Sequence, residues 1–137
     1  PPNFTSLIAL SFYVPLFLGK KFIPALAICF IITDLFIGFH ATILFTWGSV
    51  ILISLTSYLF KKNIYLRITG VICGSLVFYI ISNFGVWSLG SYGYTLDGLL
   101  TCYIAAIPFY SNTLLSTIIY SAIIETINLV YKRYKLT

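Results

Sequence analysis

The sequence predicts an all-α integral membrane protein, a compact bundle of about five transmembrane helices plus one short or re-entrant helix. Three observations carry this expectation. Of 137 residues, 60% are hydrophobic and only 8% charged, and the mean hydropathy is +1.02. The apolar residues fall into long runs separated by short glycine- or lysine-bearing breaks. The eight basic residues gather at those breaks, as topology signals do. A soluble domain carries about 25% charged residues, so a surface with so few must face mostly hydrocarbon. The length fits one domain, residues 1–137. The chain starts Pro1-Pro2-Asn3 and holds no methionine, which predicts a truncated, processed or partial chain with an upstream segment missing.

Helix ends are read from the punctuation, taking roughly 17 to 25 apolar residues as one crossing. Phe4 to Leu18 is a short first run that Pro15 can kink, and Gly19-Lys20-Lys21 closes it. Phe22 to Phe39 is the second run and Ala41 to Phe60 the third, ended by Lys61-Lys62-Asn63. Ile64 to Ser82 is the fourth, followed by a polar, glycine-bearing connection from Asn83 to Gly98. Leu99 to Tyr131 is too long for one ordinary span and too short for two. Pro108 and Ser111-Asn112-Thr113 divide it into a short or re-entrant helix, Leu99 to Phe109, and a full span, Asn112 to Tyr131. No strand-like alternation is sustained enough for a β-barrel.

The net charge of +5 does not point to nucleic acid, because the basic residues are split among three breaks. These are Lys20/Lys21, Lys61/Lys62/Arg67 and Lys132/Arg133/Lys135. Five crossings with a non-crossing short helix place all three on one side, whereas six would separate the last. The expected arrangement is therefore a multi-pass membrane protein with a cytoplasmic C-terminus.

Packing and polar residues give the site candidates. Gly70 and Gly74 form a GxxxG pattern, and Ala25, Cys29 and Thr33 recur every four residues. Both features serve either internal packing or contact with a partner. Cys29, Cys73 and Cys102 lie far apart with no metal-ligand spacing and read as small packing residues. Asp34 lies twelve residues after Phe22, roughly 18 Å along a helix, and an ionisable group at that depth needs a partner or a wet cavity. His40 and Trp47 follow at the next outer turn, and Asn83, Trp87, Tyr92, Tyr94 and Asp97 fall in the long outer connection. Together they suit a small ligand, partly aromatic or cationic, in an outer-face pocket. Simpler readings stand beside this one. Trp87, Tyr92 and Tyr94 fit an interfacial aromatic belt, Thr95 or Asp97 fits a helix cap, and His40 fits a hydrogen-bonded loop residue. Glu125, in the inner half of the last span with Asn128 near its face, fits an ion pair with Arg67 or a docking contact for a partner.

Enzyme signatures are missing: there is no GxxxxGK[ST], HExxH or GxSxG pattern, and a single histidine limits triad chemistry. The expectation is a protein that is not an enzyme and carries no cofactor. Uphill transport would need energy from another subunit or an ion gradient. The sequon Asn3-Phe4-Thr5 lies too close to the membrane for glycosylation.

Several stretches carry a resemblance. They are Pro2-Asn3-Phe4-Thr5 with Ala9-Leu10, Thr33-Asp34-Leu35-Phe36-Ile37-Gly38-Phe39-His40, and Ser82-Asn83-Phe84-Gly85-Val86-Trp87. Thr95-Leu96-Asp97-Gly98-Leu99-Leu100-Thr101-Cys102-Tyr103 and Ala105-Ala106-Ile107-Pro108-Phe109-Tyr110-Ser111-Asn112-Thr113 complete the set. Spanning nearly the whole chain, they resemble a family of small bacterial membrane proteins of unassigned function, related to the S components of energy-coupling factor (ECF) transporters. The resemblance implies an ECF S-component-like bundle that captures a vitamin- or cofactor-like molecule at its outer face. It also implies docking on a transmembrane coupling subunit joined to cytoplasmic ATPases, although the helix such proteins use for docking has no counterpart here. The competing expectation is a non-catalytic structural accessory subunit of a larger membrane complex.

Overall fold

The computed structural model describes residues 1–136, and all regular structure among them is helical. Five α-helices follow one another: α1 (Leu7–Leu18), α2 (Ile23–Ile37), α3 (Ile43–Thr56), α4 (Ile64–Ser88) and α5 (Leu96–Lys135). Short 3₁₀ turns, Lys20–Phe22 and Ser57–Phe60, follow α1 and α3. Gly19 and Gly38, both at φ +103°, stop α1 and α2 by turning the chain where a side chain would be strained. Asn63 and Thr95 start α4 and α5 as N-caps, Oδ1 accepting from Leu66 N at 2.9 Å and Oγ1 from Gly98 N at 3.0 Å. Asp97 is thus not the cap; it lies exposed in the first turn of α5.

Three of these helices are long and apolar enough to cross a membrane: Ile43–Phe60, Ile64–Ser88 and Leu96–Lys135. They account for three of the five expected full crossings. At 1.5 Å per residue, the 12 residues of α1 and the 15 of α2 reach only about 18 and 22 Å, against a hydrocarbon core of about 30 Å.

The separate short helix expected at Leu99–Phe109 is corrected, because α5 is one continuous helix of 40 residues. The polar residues expected to break it are absorbed by neighbouring backbone. Ser111 Oγ donates to Ile107 O at 3.1 Å, Thr113 Oγ1 to Phe109 O at 3.2 Å, and Asn112 Nδ2 to Pro2 O at 3.0 Å. Pro108 removes one N–H donor without ending the helix, as proline can in membrane helices. The fourth helix also runs six residues beyond the expected Ser82, so Asn83 and Trp87 are helical rather than in a loop.

The shortest helix forms the centre. Ile8, Ala9, Phe12, Tyr13 and Leu16 of α1 are buried with Ile53 of α3 and Val71 of α4. Around them the helices meet through small or hydroxylated side chains: Ser11, Ser49, Ser54, Ser75, Ser116, Thr117 and Ser121 are all buried. Most of these hydroxyls bond to a carbonyl of their own helix, and Ser54 Oγ reaches across to Ser11 O at 2.8 Å. Gly70 and Gly74 belong to this interior. A β-carbon on Gly70 would lie 2.5 Å from Phe60 and 2.8 Å from Phe12, and one on Gly74 would lie 3.3 Å from Ile53. The GxxxG pattern therefore admits α1, α3 and the turn after α3.

Candidate functional site

A cavity of about 340 Å³ lies between the first turn of α1 and the end of the bundle where α3 begins and α4 finishes. Leu7 and Ile8 line it from α1, and Thr42 and Thr46 from the start of α3. The two long helices supply matching faces. Tyr79, Ser82, Asn83 and Val86 recur at i, i+3, i+4 and i+7 on α4, and Ala106, Phe109, Tyr110 and Thr113 do so on α5. The N-terminal segment closes one side, held by the Asn112 amide and by Thr113 Oγ1, which donates to Asn3 O at 3.5 Å.

The polar groups of the cavity are set by local bonds. His40 Nε2 lies 3.2 Å from Thr46 Oγ1, joining the loop before α3 to its first turn. Asn83 Nδ2 donates to Tyr79 O at 2.8 Å, which uses one of its two N–H donors. The rings of Tyr79 and Tyr110 approach to 4.7 Å between centroids, tilted by 39°. Tyr79 Oη also donates to Tyr103 O at 2.6 Å and Tyr103 Oη to Ile80 O at 2.7 Å, so this aromatic wall ties α4 to α5.

Of the residues expected at an outer pocket, His40 and Asn83 line this cavity; Asp34, Trp47, Trp87, Tyr94 and Asp97 do not. Asp34 and Trp47 instead pair with each other, Nε1 donating to Oδ2 at 2.7 Å, and this bond fastens α2 to α3. Trp87 packs edge-on against Tyr94 at 6.2 Å and beside Phe84 at 5.6 Å, while its buried Nε1 has no hydrogen-bond partner. Tyr79, Ser82, Tyr110 and Thr113 were not anticipated. Their i, i+3, i+4, i+7 spacing carries the signal, and it becomes visible only once α4 and α5 are taken as continuous through Asn83 and Asn112.

A second polar centre lies toward the basic breaks, where α1, α4 and α5 meet. Arg67 Nε and a terminal N–H of its guanidinium donate to the two oxygens of Glu125 at 2.6 and 2.7 Å. Both residues are buried, and Arg67 also lies 5.5 Å from the centre of the Phe17 ring. Tyr13 and Asn128 lie beside Glu125, and Ser121 beside Tyr13, yet Tyr13 Oη, Ser121 Oγ and Asn128 Nδ2 make no hydrogen bond of good geometry. Among the described residues, no three or more His, Cys, Asp or Glu side chains gather to hold a metal ion.

Comparison with known families places the chain in one. Residues 1–136 match the family of unknown function DUF6580. This chain is a DUF6580 protein. Comparison with curated proteins and with solved structures finds no match. The DUF6580 protein offers two places for a function, its cavity and its buried polar centre.

Proposed function

We propose that this DUF6580 protein is a substrate-capture subunit of a membrane transporter, resembling an ECF S component and taking a small vitamin- or cofactor-like molecule from the outer face. The observation that supports it is the cavity between α1, α3, α4 and α5. Its volume of about 340 Å³ falls at the lower end of the range typical of small-molecule sites. Its wall combines aromatic rings with an amide, hydroxyls and an imidazole, which suits binding and orientation without chemistry. On this reading the basic end is cytoplasmic in a bacterial plasma membrane. Energy for uptake comes from partners, a transmembrane coupling subunit with cytoplasmic ATPases.

The test is purification from native membranes, followed by mass spectrometry of small molecules released on denaturation. A stoichiometric species lost in Asn83→Leu supports capture at this cavity. Release of nothing, or of the same species in equal amount from the variant, removes the reading.

One observation favours a second reading, a structural accessory subunit of a larger membrane complex. The last turns of α5 carry exposed Ile127, Val130 and Tyr131 beside Lys132, Arg133 and Lys135. At about 60 Å, α5 is far longer than the hydrocarbon core it crosses. Stoichiometric co-purification of subunits unrelated to transport, abolished by removing residues 127–136, would select this reading over the first.

A further inference from the structure

The cavity wall holds sixteen residues, and none is Asp, Glu, Lys or Arg. The carboxylates that could have met a cationic ligand are engaged or directed elsewhere. Asp34 accepts from Trp47 Nε1 at 2.7 Å, outside the cavity, and Asp97 is exposed at the start of α5. No guanidinium or ammonium reaches the cavity to meet an anion either; Arg67 is bound to Glu125 at the other polar centre. Away from the His40 imidazole, which lies 3.2 Å from Thr46 Oγ1, an ionised group entering such a wall would lose its hydration without a counter-charge.

What the wall does offer is neutral and directional. Asn83 has one N–H committed to Tyr79 O, leaving its second N–H and its carbonyl oxygen for a ligand. A side-chain amide in that state is complementary to an adjacent acceptor and donor on one edge, as in a lactam or carboxamide. Tyr79 and Tyr110 line the cavity with it, their rings 4.7 Å apart, with Phe78 and Phe109 on the same walls, which favours a flat partner.

We propose that the occupant of this cavity is an uncharged, planar heteroaromatic molecule carrying an amide-like edge that pairs with Asn83 and stacks at the Tyr79–Tyr110 wall. This deepens the capture reading and rests on it. It replaces the cationic option that Asp34 and Asp97 suggested.

The experiment identifies the molecule released from the purified protein and measures its rebinding to the emptied protein in lipid nanodiscs. The variants are Asn83→Leu, Asn83→Asp and Ala106→Phe, the last filling the cavity from α5. An uncharged ring compound with a lactam or carboxamide edge is expected. Its affinity should fall at least about tenfold in both Asn83 variants and be lost in Ala106→Phe, with all three monodisperse. A cavity-dependent occupant bearing a carboxylate, phosphate or ammonium group overturns this inference while leaving capture intact. So does tighter binding to Asn83→Asp, the signature of a cation. Absence of any occupant, or binding unchanged in Ala106→Phe, overturns the capture reading and this inference with it.

Discussion

Gly70 shows how closely one residue can be bound to its surroundings. A methyl group there would overlap Phe60 and Phe12, two aromatic rings already 6.0 Å apart between centroids. Gly70→Ala should therefore destabilise the protein by about 1 to 3 kcal/mol, since the rings must shift. Gly74→Ala meets only the branches of Ile53 at 3.3 Å and should cost distinctly less. Thermal unfolding in detergent, followed by size-exclusion fluorescence, would rank the two; equal losses would contradict this packing. The Arg67–Glu125 pair makes a complementary case. Removing one partner leaves a buried charge alone, so Glu125→Leu or Arg67→Met should each cost about 3 to 5 kcal/mol. The double variant should recover much of that loss, because two apolar side chains need no counter-charge. A double variant as unstable as the sum of the singles would show that the pair contributes more than mutual neutralisation.

At the scale of elements, α2 and α5 carry the clearest expectations. Leu26 is the one buried residue of α2, so the helix is held at its edge chiefly by Asp34–Trp47 and its flanking turns. Asp34→Leu strands the indole N–H and should loosen α2 by about 1 kcal/mol, whereas Asp34→Asn keeps an acceptor and should cost less. The rate at which Cys29, exposed on α2, reacts with a lipid-soluble maleimide would report this; identical rates in both variants would mean another contact holds the helix. For α5, spin labels at exposed Leu100 and Ile119 should sit about 28 Å apart along one continuous helix. A reversal near Asn112 would bring them much closer, and a short distance measured by pulsed electron resonance would restore the re-entrant helix.

For the whole molecule, the distribution of charge leads to the last expectation. Seven of the eight basic residues lie in the turns after α1 and α3 and at the end of α5, and the eighth, Arg67, is neutralised by Glu125. Lys20 Nζ over the Tyr58 ring, at 4.0 Å, joins the first two of these regions. An alkaline phosphatase fusion at the C-terminus should be inactive and a green fluorescent fusion bright, as for a cytoplasmic end. The opposite pattern would invert the bundle and turn the cavity toward the cytoplasm.

Composition and punctuation by themselves determined that this chain is helical, apolar enough for a membrane, and asymmetric in its basic charge. These are properties of residue types and their spacing along the chain, and they need no knowledge of which helix meets which. The Arg67–Glu125 pairing was also legible, as one of two readings, because a buried carboxylate needs a cation. Tertiary structure alone decided the rest. A polar residue in an apolar run reads the same whether it breaks a helix, caps one, or bonds to a neighbouring carbonyl. Asn112 proved to hold Pro2, and Asn83 to face the cavity from within α4. Asp34 reads in the sequence as needing a partner or a wet cavity, and only the approach of α3 shows that Trp47 supplies the partner while the carboxylate stays outside the cavity. Hydrogen bonds between distant residues determine which polar groups remain to meet a ligand, and those distances are absent from a linear pattern.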